Sequence, residues 1–463
     1  MNYFLDLFGC VKNQVDAENM MAQLNKAGWK NATDPEPADL IIVNSCGFIE
    51  SAKQESINAV LGWRKLYPDK KIILAGCLSQ RYAKDLPEIL PEADAFIGVG
   101  DTLQIVQAAN KTMSVPVKPQ SAFPVLTGER PLLSLPGSAF VKISEGCGNR
   151  CSYCAIPLIR GGLVSRTIPV IVEECRALLN RGIVEINIIG QDIGAYGMDF
   201  EKERAQRLPE LLNAISALEG KFWVRLLYIH PDHFPLEVLD IMERDKRFLP
   251  YFDIPFQHAS AKILTAMNRS HTAPCEPPDQ SSCENPVQRY VTLLEIIRGR
   301  LPDAVIRSTF LLGFPGETEE DFAALLDFQQ KIKLDWLGCF AYSREEGTAS
   351  YSMKERVPAR IANMRKQIIE ERQIPITEKN MERFIGQIFD VLIEEFFTAA
   401  PAESGAPAEE TADTENLWLG RLYCQAPDVD GAAVIVSGKN LQVGTLAKCK
   451  VIARRGFDLE VQI

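Results

Sequence analysis

Short apolar runs at residues 3–8, 40–43, 71–75 and 95–99 recur along the beginning of the chain and have the length of buried strands. Helical periodicity fills the intervals at residues 16–27, 52–66 and 80–90, and begins again at residue 102. Alternation of strands and helices is typical of a parallel, doubly wound sheet with helices on both faces. We therefore expect an N-terminal α/β domain over residues 1–115.

The alternation resumes after residues 111–135, a proline-containing stretch with little periodicity that predicts a linker. Strand patterns follow at residues 139–143, 186–189, 223–229, 251–255, 305–312 and 337–342. Helical patterns lie between most of them, at residues 170–181, 208–218, 236–244, 290–300 and 319–331, and a long one at 359–384 leads out. Six parallel strands predict an open (β/α)6 barrel over residues 133–375.

Strand-like runs at residues 388–393, 417–424, 433–436, 448–452 and 459–463 predict a small antiparallel β-barrel over residues 384–463. The fold class is thus α/β multidomain with a β-barrel at the C-terminal end. Two stretches lack apolar periodicity. Residues 398–416 are rich in Ala, Glu, Pro and Thr and predict a disordered excursion. Residues 272–286 predict a surface insertion, whose Cys275 and Cys283 are incidental or, alternatively, bind metal or pair with each other.

Composition narrows the class of protein. The chain has 463 residues, 46% of them hydrophobic, and no run approaches the roughly 20 apolar residues of a membrane span. The first residues lack a secretion signal, and twelve cysteines without one indicate a reducing compartment, so we expect a cytoplasmic protein. A net charge of −11 argues against a general nucleic-acid binder and is compatible with a basic protein partner.

Three closely spaced cysteines, Cys147, Cys151 and Cys154, carry the most specific chemical signal, in a loop that follows a predicted strand. An ordinary iron–sulfur cube has four cysteine ligands, so a cube held by three has one iron free to bind something else. A zinc knuckle is the alternative, but zinc sites usually add a fourth Cys or His at similar spacing. The nearest downstream thiol, Cys175, lies inside a predicted helix instead.

A second group of cysteines, Cys10, Cys46 and Cys77, follows three predicted strands of the N-terminal domain. The carboxyl ends of neighbouring parallel strands converge on one crevice, so these thiols can meet although they are remote in sequence. For each one alone, the alternative is a small residue buried at a strand end.

Polar residues and glycines at the ends of the barrel strands are candidates for a nucleotide site, because function gathers at these ends in such barrels. The residues expected to border a nucleotide are Gly190, Gln191, Asp192, Ser308, Gly313 and Gly316. His230 and His258 lie at strand ends too, and either role, in the site or in the structure, is open for them.

The loop of Cys147, Cys151 and Cys154, with its Glu-Gly lead-in, resembles the signature of radical S-adenosylmethionine enzymes. Nearly the whole chain resembles the methylthiotransferase family of that superfamily, in which the same three domains, ending in a TRAM domain, occur in this order. Residues 9–18, 253–258 and 342–348 resemble the branch that modifies an aspartate of small-subunit ribosomal protein twelve. The transfer-RNA adenosine branch, which usually has Gln-Ser-Gly at 257–259, is the alternative. Val11 and Gly148 depart from the usual proline and asparagine.

The resemblance implies S-adenosylmethionine and two [4Fe-4S] clusters as cofactors. Cys147, Cys151 and Cys154 would hold the cluster that cleaves S-adenosylmethionine, with Tyr153 against the adenine. Cys10, Cys46 and Cys77 would hold an auxiliary cluster that donates the methylthio unit. An unactivated β-carbon has no acidic proton, which is why a radical is needed. The implied partners are a basic ribosomal protein as substrate, a reducing partner and a sulfur donor, with neither a membrane nor direct nucleic-acid binding required.

Overall fold

The computed structural model describes residues 1–100, 102–110, 129–201, 206–269, 285–397 and 416–463. Residues 111–128 of the predicted linker, 272–284 of the predicted insertion and 398–415 of the predicted excursion lie outside the described residues. So do Cys275 and Cys283. Among the helices that are described, none is long and apolar enough to cross a membrane.

The N-terminal unit is a five-stranded sheet in the order β2-β1-β3-β4-β5, and all of its pairings are parallel, which confirms the doubly wound prediction. Its elements are β1 (Asn2–Leu7), α1 (Val11–Lys26), β2 (Lys30–Asn31), β3 (Leu40–Ser45), α2 (Glu50–Leu66), β4 (Lys71–Gly76), α3 (Cys77–Arg81), α4 (Leu86–Ile89), β5 (Ala95–Ile97) and α5 (Ile105–Asn110). Successive residues of β3 enter two separate hydrophobic clusters, Leu40 and Ile42 on one face, Ile41 and Val43 on the other. Helices cover both faces, so every residue of β3 is buried.

The single helix predicted at residues 80–90 is wrong in its extent. Two short helices, α3 and α4, replace it, and α3 begins directly at the end of β4. Pro87 lies in the first turn of α4. Proline has no backbone N–H and disfavours helical backbone at the preceding residue, so a continuous helix through this position would be broken.

The central unit is a six-stranded sheet in the order β13-β12-β11-β10-β9-β6, whose pairings are all parallel. Its strands are β6 (Ser138–Lys142), β9 (Glu185–Ile189), β10 (Trp223–Leu226), β11 (Phe248–Asp253), β12 (Val305–Leu312) and β13 (Trp336–Ala341), and a two-stranded hairpin is formed by β7 (Ser144–Glu145) and β8 (Val164–Ser165). Its helices are α6 (Ile156–Arg160), α7 (Ile168–Asn180), α8 (Leu208–Ser216), α9 (Glu237–Arg244), α10 (Ala261–Ala266), α11 (Pro286–Arg300), α12 (Glu319–Ile332) and α13 (Ala359–Met381). Strands follow chain order and the sheet ends on β6 and β13, so the open (β/α)6 barrel is confirmed.

The C-terminal unit is a closed barrel in the order β14-β15-β16-β18-β17. Its strands are β14 (Ile388–Phe397), β15 (Asn416–Arg421), β16 (Ala433–Ser437), β17 (Leu446–Arg455) and β18 (Asp458–Gln462). The predicted small barrel is confirmed, with one parallel pairing, β16 with β18, among antiparallel ones. Asn416 belongs to β15, so the predicted excursion is one residue too long at its end.

Buried ion pairs join the three units. At the start of β9, the Glu185 carboxylate accepts hydrogen bonds from Arg225 of the central barrel at 3.0 Å and from Arg421 of the terminal barrel at 2.5 Å. Arg130, which sequence analysis placed in a linker, is fully buried and donates to Glu18 of α1 at 2.8 Å. Because partnerless buried charges are costly, such pairs fix how the units dock.

Asp430 lies between the central and terminal barrels and gives the stability a testable pH dependence. Its carboxyl, 1% exposed, accepts hydrogen bonds from the Tyr251 hydroxyl at 2.6 Å and the Ala426 N–H at 2.8 Å. Burial raises the pKa of Asp430 to about 6, although Arg307 opposes the shift. An unfolded aspartate has a pKa of about 3.9, so between about pH 4 and pH 6 the folded state binds more protons and loses stability as pH rises.

We expect Asp430→Asn to remove this loss. The unfolding free energy of the variant, relative to the natural chain, should rise by up to about 3 kcal/mol from pH 4 to pH 6 and then level off. Chemical denaturation across this range measures it. Asp390→Asn is the control of opposite sign, because lysines 221 and 448 hold the pKa of Asp390 below its usual value despite its burial. Parallel pH profiles for Asp430→Asn and the natural chain would contradict the prediction.

Candidate active site

A cavity of about 330 Å³ lies between the N-terminal domain and the open end of the central barrel. All six cysteines that sequence analysis singled out line it: Cys10, Cys46, Cys77, Cys147, Cys151 and Cys154. The two groups of three therefore meet on one cavity although they come from separate folded units.

Tight turns after β1 and β4 place Cys10 and Cys77 on the cavity wall. Gly9 precedes Cys10 with φ +98°, and Gly76 precedes Cys77 with φ +96°, a backbone conformation that other residues rarely adopt. A Cβ at Gly76 would also lie 2.7 Å from the Asn44 side-chain oxygen. The strand therefore ends abruptly, and the thiol comes at the start of the following helix, α1 or α3.

The second group of thiols lies in the loop between β7 and α6, which backbone hydrogen bonds hold in shape. The N–H of Cys154 donates to the carbonyl of Cys151 at 3.1 Å, and the N–H of Cys147 donates to the carbonyl of Gly161 at 3.2 Å. The N–H of Ser152 donates to the carbonyl of Met267 at 3.0 Å, which ties the loop to the residues after α10. The three thiols are thereby presented from a fixed frame.

The protonation of these thiols reflects their surroundings. Burial raises the pKa of Cys77, Cys147 and Cys154 to about 12 and raises that of Cys46 as well. Burial opposes ionisation of Cys10 too, but the positive charges of Lys12 and Arg160 outweigh it and lower the pKa of Cys10. Thiols this hard to ionise become ligands when a metal takes the place of the proton.

The donor set fits iron–sulfur clusters. All six residues are free cysteines. Within the described ranges, no three His, Cys, Asp or Glu side chains converge closely enough to hold a single metal ion. The three thiolates of such a cluster bind different irons of one cube, so three thiols on each side of a cavity suit a cube with an open position.

Behind the thiols, a buried network of two cations and two carboxylates crosses the domain boundary. Arg160 donates to Glu145 at 2.8 Å, to Asp16 at 2.9 Å and to the Cys77 sulfur at 3.3 Å. Lys142 bonds to both carboxylates at 2.5 Å. The four charges cancel, so the network supports the cavity wall without adding net charge. The charge of Arg160 is already balanced by the two carboxylates of the network.

Of the residues predicted to border a nucleotide, Tyr153 and Gln191 line the cavity. Asp192 lies just behind it, accepting from Asn149 at 2.9 Å and bonding to the His233 ring at 2.6 Å. Burial opposes its ionisation, but the hydrogen bond from His233 and the nearby charges lower the pKa of Asp192 to about 2. Gly190 is closely packed, since a Cβ there would lie 2.7 Å from the Ser144 hydroxyl.

The other three predicted residues do not line this cavity. Ser308 is fully buried and bonds to the backbone of Ile254 and Phe256, at 2.7 and 3.0 Å. Gly313 lines a separate cavity of about 150 Å³, and the N–H of Gly316 donates to the carbonyl of Glu355 at 2.9 Å.

The two histidines left open by the sequence separate here. His230 lines the cavity, and burial lowers its pKa well below the ordinary value, so its ring is neutral. His258 is fully buried, with its ring 3.6 Å from the Glu317 carboxylate, and does not line the cavity.

Sequence analysis missed several residues of the cavity wall: Lys12, Asn13, Arg160, Tyr228, Gln257 and Arg269. Two of them carry a backbone signal visible only in the structure, because Tyr228 and Gln257 have φ +69° without being glycine. Such conformations cost roughly 1–3 kcal/mol and cluster at functional sites. Lys12 and Asn13 could have been found from sequence, since the residues after Cys10 begin a helix that borders the cavity.

Comparison with solved structures shows the fold. A radical S-adenosylmethionine methyltransferase, TsrM from Kitasatospora setae, determined with a tryptophan substrate and an S-adenosylmethionine analogue bound, matches with a TM-score of 0.52. The match covers 86% of this chain and 79% of that one at 14% identity. The same enzyme with cobalamin and a [4Fe-4S] cluster bound matches with a TM-score of 0.50 over 75% of this chain and 76% of that one, also at 14% identity.

Family models match each of the three units. Residues 2–98 match the Uncharacterized protein family UPF0004, residues 141–328 the Radical SAM superfamily, and residues 385–463 the TRAM domain.

Relatives match the chain over nearly its whole length. A protein of Treponema denticola named ribosomal protein uS12 methylthiotransferase RimO is 44% identical over 98% of this chain and 99% of its own. A protein of the same name from Syntrophomonas wolfei is 38% identical over 99% of both chains. With the three units, the two thiol groups and these relatives in agreement, the chain belongs to the family of ribosomal protein uS12 methylthiotransferases within the radical S-adenosylmethionine superfamily.

Proposed function

We propose that this protein attaches a methylthio group to the β-carbon of an aspartate of ribosomal protein uS12. One observation carries the proposal: two groups of three free cysteines, from separate domains, line a single cavity. A site that must both remove a hydrogen atom from carbon and deliver sulfur to it needs two redox-active centres within reach of one substrate atom, and this arrangement provides the ligands for both.

We assign the ligands by domain. Cys147, Cys151 and Cys154 would hold one [4Fe-4S] cluster and Cys10, Cys46 and Cys77 the other, with S-adenosylmethionine on the side of Tyr153 and Gln191. When bound, these groups supply the carbon-centred radical chemistry and the methylthio unit.

The residues of the chain bind, orient and shield. Arg269 donates to the carbonyl of Pro255 at 2.5 Å and lies 3.6 Å from the Cys151 sulfur, so it places positive charge beside the barrel thiols. Ile156 and Ile159 contribute apolar wall between the two thiol groups. Apolar wall limits the access of water, which protects a reactive intermediate from side reactions.

A protein substrate fits the charge distribution better than transfer RNA does. From residue 386 onward the chain has six lysines and arginines. Four of them are paired with carboxylates in the described structure, namely Arg421, Lys448, Arg454 and Arg455. Phosphate binding depends on free positive charge, and the chain as a whole carries −11. A basic ribosomal protein is attracted by that charge. A reducing partner and a sulfur donor complete the reaction, which we place in the cytoplasm with the ribosome.

Deleting the gene tests the function. We expect uS12 from the deletion strain to lack the methylthio mass and to regain it when the natural gene is restored. The methylthio content of bulk transfer RNA should stay the same. Mass spectrometry of both fractions measures this. Unchanged uS12 together with transfer RNA that has lost its methylthio group would assign the protein to the transfer-RNA branch instead.

A further inference from the structure

Two cations of the cavity wall, Lys12 and Arg269, have no carboxylate partner in the described part of the chain, and Lys12 is the one on the side of Cys10. It lies in the first turn of α1, lines the cavity and is 7% exposed. Its ammonium nitrogen is 3.0 Å from the centroid of the Tyr228 ring. A buried lysine normally has a carboxylate against it, as Lys142 has two. Lys12 is therefore a buried cation that forms no salt bridge with a carboxylate of the described residues.

The carboxylates around Lys12 are each engaged with another cation. Asp16 and Glu145 pair with Lys142 and Arg160, and Asp253 lies 3.6 Å from Arg307. Arg160 is neutralised by its two carboxylates, whereas Arg269 lies on the other side, 3.6 Å from the Cys151 sulfur of the barrel group. A negatively charged group that enters the cavity on the side of Cys10 thus meets Lys12, which has no ion pair among the described side chains.

The Tyr228 ring, which lies against the Lys12 ammonium, belongs to a residue with a strained backbone. Tyr228 follows β10 with φ +69°, a strained conformation for a residue other than glycine. The strain puts the aromatic face against the ammonium, where a cation–π contact stabilises the charge and excludes water on that side. A partly desolvated cation attracts an incoming anion more strongly than an exposed one does.

We propose that Lys12 binds the side-chain carboxylate of the target aspartate of uS12, and that it thereby selects aspartate and places its β-carbon between the two groups of thiols. This inference rests on the proposed function. Lys12 comes two residues after Cys10 and reaches across the cavity to Tyr228 of the barrel, so a carboxylate bound to it lies between the thiol groups. In aspartate the β-carbon is bonded directly to the carboxylate carbon. Lys12 is a positioning and specificity-determining residue in this role.

The test compares uS12 carrying the target aspartate with uS12 carrying asparagine there. Asparagine keeps the shape of the side chain and lacks its charge. A charge-assisted hydrogen bond contributes about 1.5–3 kcal/mol, so we expect the natural holoenzyme to bind the aspartate form at least about tenfold more tightly. Lys12→Met should bring the affinity ratio to about one, and Lys12→Arg should retain a preference for aspartate. Equilibrium binding of labelled uS12 measures each ratio.

Lys448→Met is the matched control. Lys448 is a surface lysine of the terminal barrel, paired with Asp390 at 3.1 Å, and its loss should leave the ratio unchanged. Iron content is measured alongside, because Lys12 could instead only balance charge near Cys10. An unaltered aspartate-to-asparagine ratio in Lys12→Met, with or without loss of iron, would overturn the proposal. If the natural enzyme itself leaves uS12 unmodified, the proposed function fails and this inference with it, which is a different result from an active enzyme with an unchanged ratio.

Discussion

Replacing Cys151 by serine will abolish the reductive cleavage of S-adenosylmethionine and the modification of uS12, whereas replacing Cys46 by serine will abolish the modification alone. The two residues line the same cavity but come from different domains, Cys151 from the loop after β7 and Cys46 from the end of β3. If each group of three thiols holds its own cluster, the barrel group alone is needed to cleave the cofactor. The two variants therefore separate the two tasks.

Iron content gives this prediction a second readout. Two cubes correspond to about eight irons per chain after anaerobic reconstitution, and either variant should fall to about four. Cleavage is followed as formation of deoxyadenosine, and modification as the mass of uS12. Both activities are expected to fall below detection where they are lost, because each depends on its own cluster.

The control is Cys449→Ser, which changes a buried cysteine of the terminal barrel that does not line the cavity. Its iron content and both activities should equal those of the natural chain. A Cys46→Ser variant that still modifies uS12, or a Cys151→Ser variant that still cleaves the cofactor, would refute the assignment of ligands by domain.

Replacing Arg130 by methionine will produce a large loss of stability. The guanidinium is fully buried and donates to Glu18 of the N-terminal domain at 2.8 Å, to the carbonyl of Phe140 at 2.5 Å, and to Glu174 of α7. Arg130 thus links the N-terminal domain to the barrel through buried ion pairs. Methionine keeps most of the side-chain volume but leaves Glu18 without its cation.

Breaking a buried ion pair by removing one partner costs about 3–5 kcal/mol, since a charge stays in the interior uncompensated. Arg166, which lies 2.6 Å from Glu174, compensates that carboxylate, so Glu18 accounts for most of the effect. Denaturant unfolding, followed by both fluorescence and circular dichroism, measures the loss. We also expect the N-terminal domain to become more sensitive to protease than the barrel, because the contacts of Arg130 between the two domains are lost.

Arg176→Met is the matched control, on the helix α7 that carries Glu174, a partner of Arg130. Arg176 pairs with Glu173, but both side chains are about half exposed or more, at 49% and 69%. Exposed pairs contribute roughly 0–1 kcal/mol, so this variant should unfold close to the natural chain. Equal losses of unfolding free energy for Arg130→Met and Arg176→Met would show that burial does not set the strength of the ion pairs of Arg130.

Much of the fold could be predicted from sequence because periodicity is a local property. The first four residues of β3, Leu40–Val43, form an apolar run typical of a buried strand, and α12 carries a capping box in Thr318 and Asp321 at its first turn. The extent of α3 and α4 was missed although its cause, Pro87, is visible in the sequence. The apolar pattern of residues 80–90 continues through Pro87, and proline breaks or kinks a helix when it lies in the interior.

The six cysteines that line the cavity could be predicted from the sequence, and most of the other residues of its wall could not. Six cysteines follow strands or a strand-like loop, and the convergence of parallel strand ends brings each group together. The partners of Lys12, Arg130 and Arg160 come from elements far away in the chain, and nothing in the local pattern distinguishes them from surface cations. Ser308 and Gly313 were selected for the same reason and do not line this cavity, since a place near a strand end does not tell which way a residue faces.

By itself, the sequence determined the three folded units, the order of their elements and the position of the singled-out thiols near strand ends. Burial of one face of a helix or strand imposes a hydrophobic periodicity, and this periodicity is visible in neighbouring residues of the sequence. Only the tertiary structure decided that the two groups of thiols share one cavity and that Arg130 joins two domains. It also decided that Lys12 lies against Tyr228 without a salt bridge to a carboxylate of the described residues. Those facts depend on how whole units dock. Docking is set by the few buried charges and apolar faces that meet across the boundary, and their partners are identified only when the chain is folded.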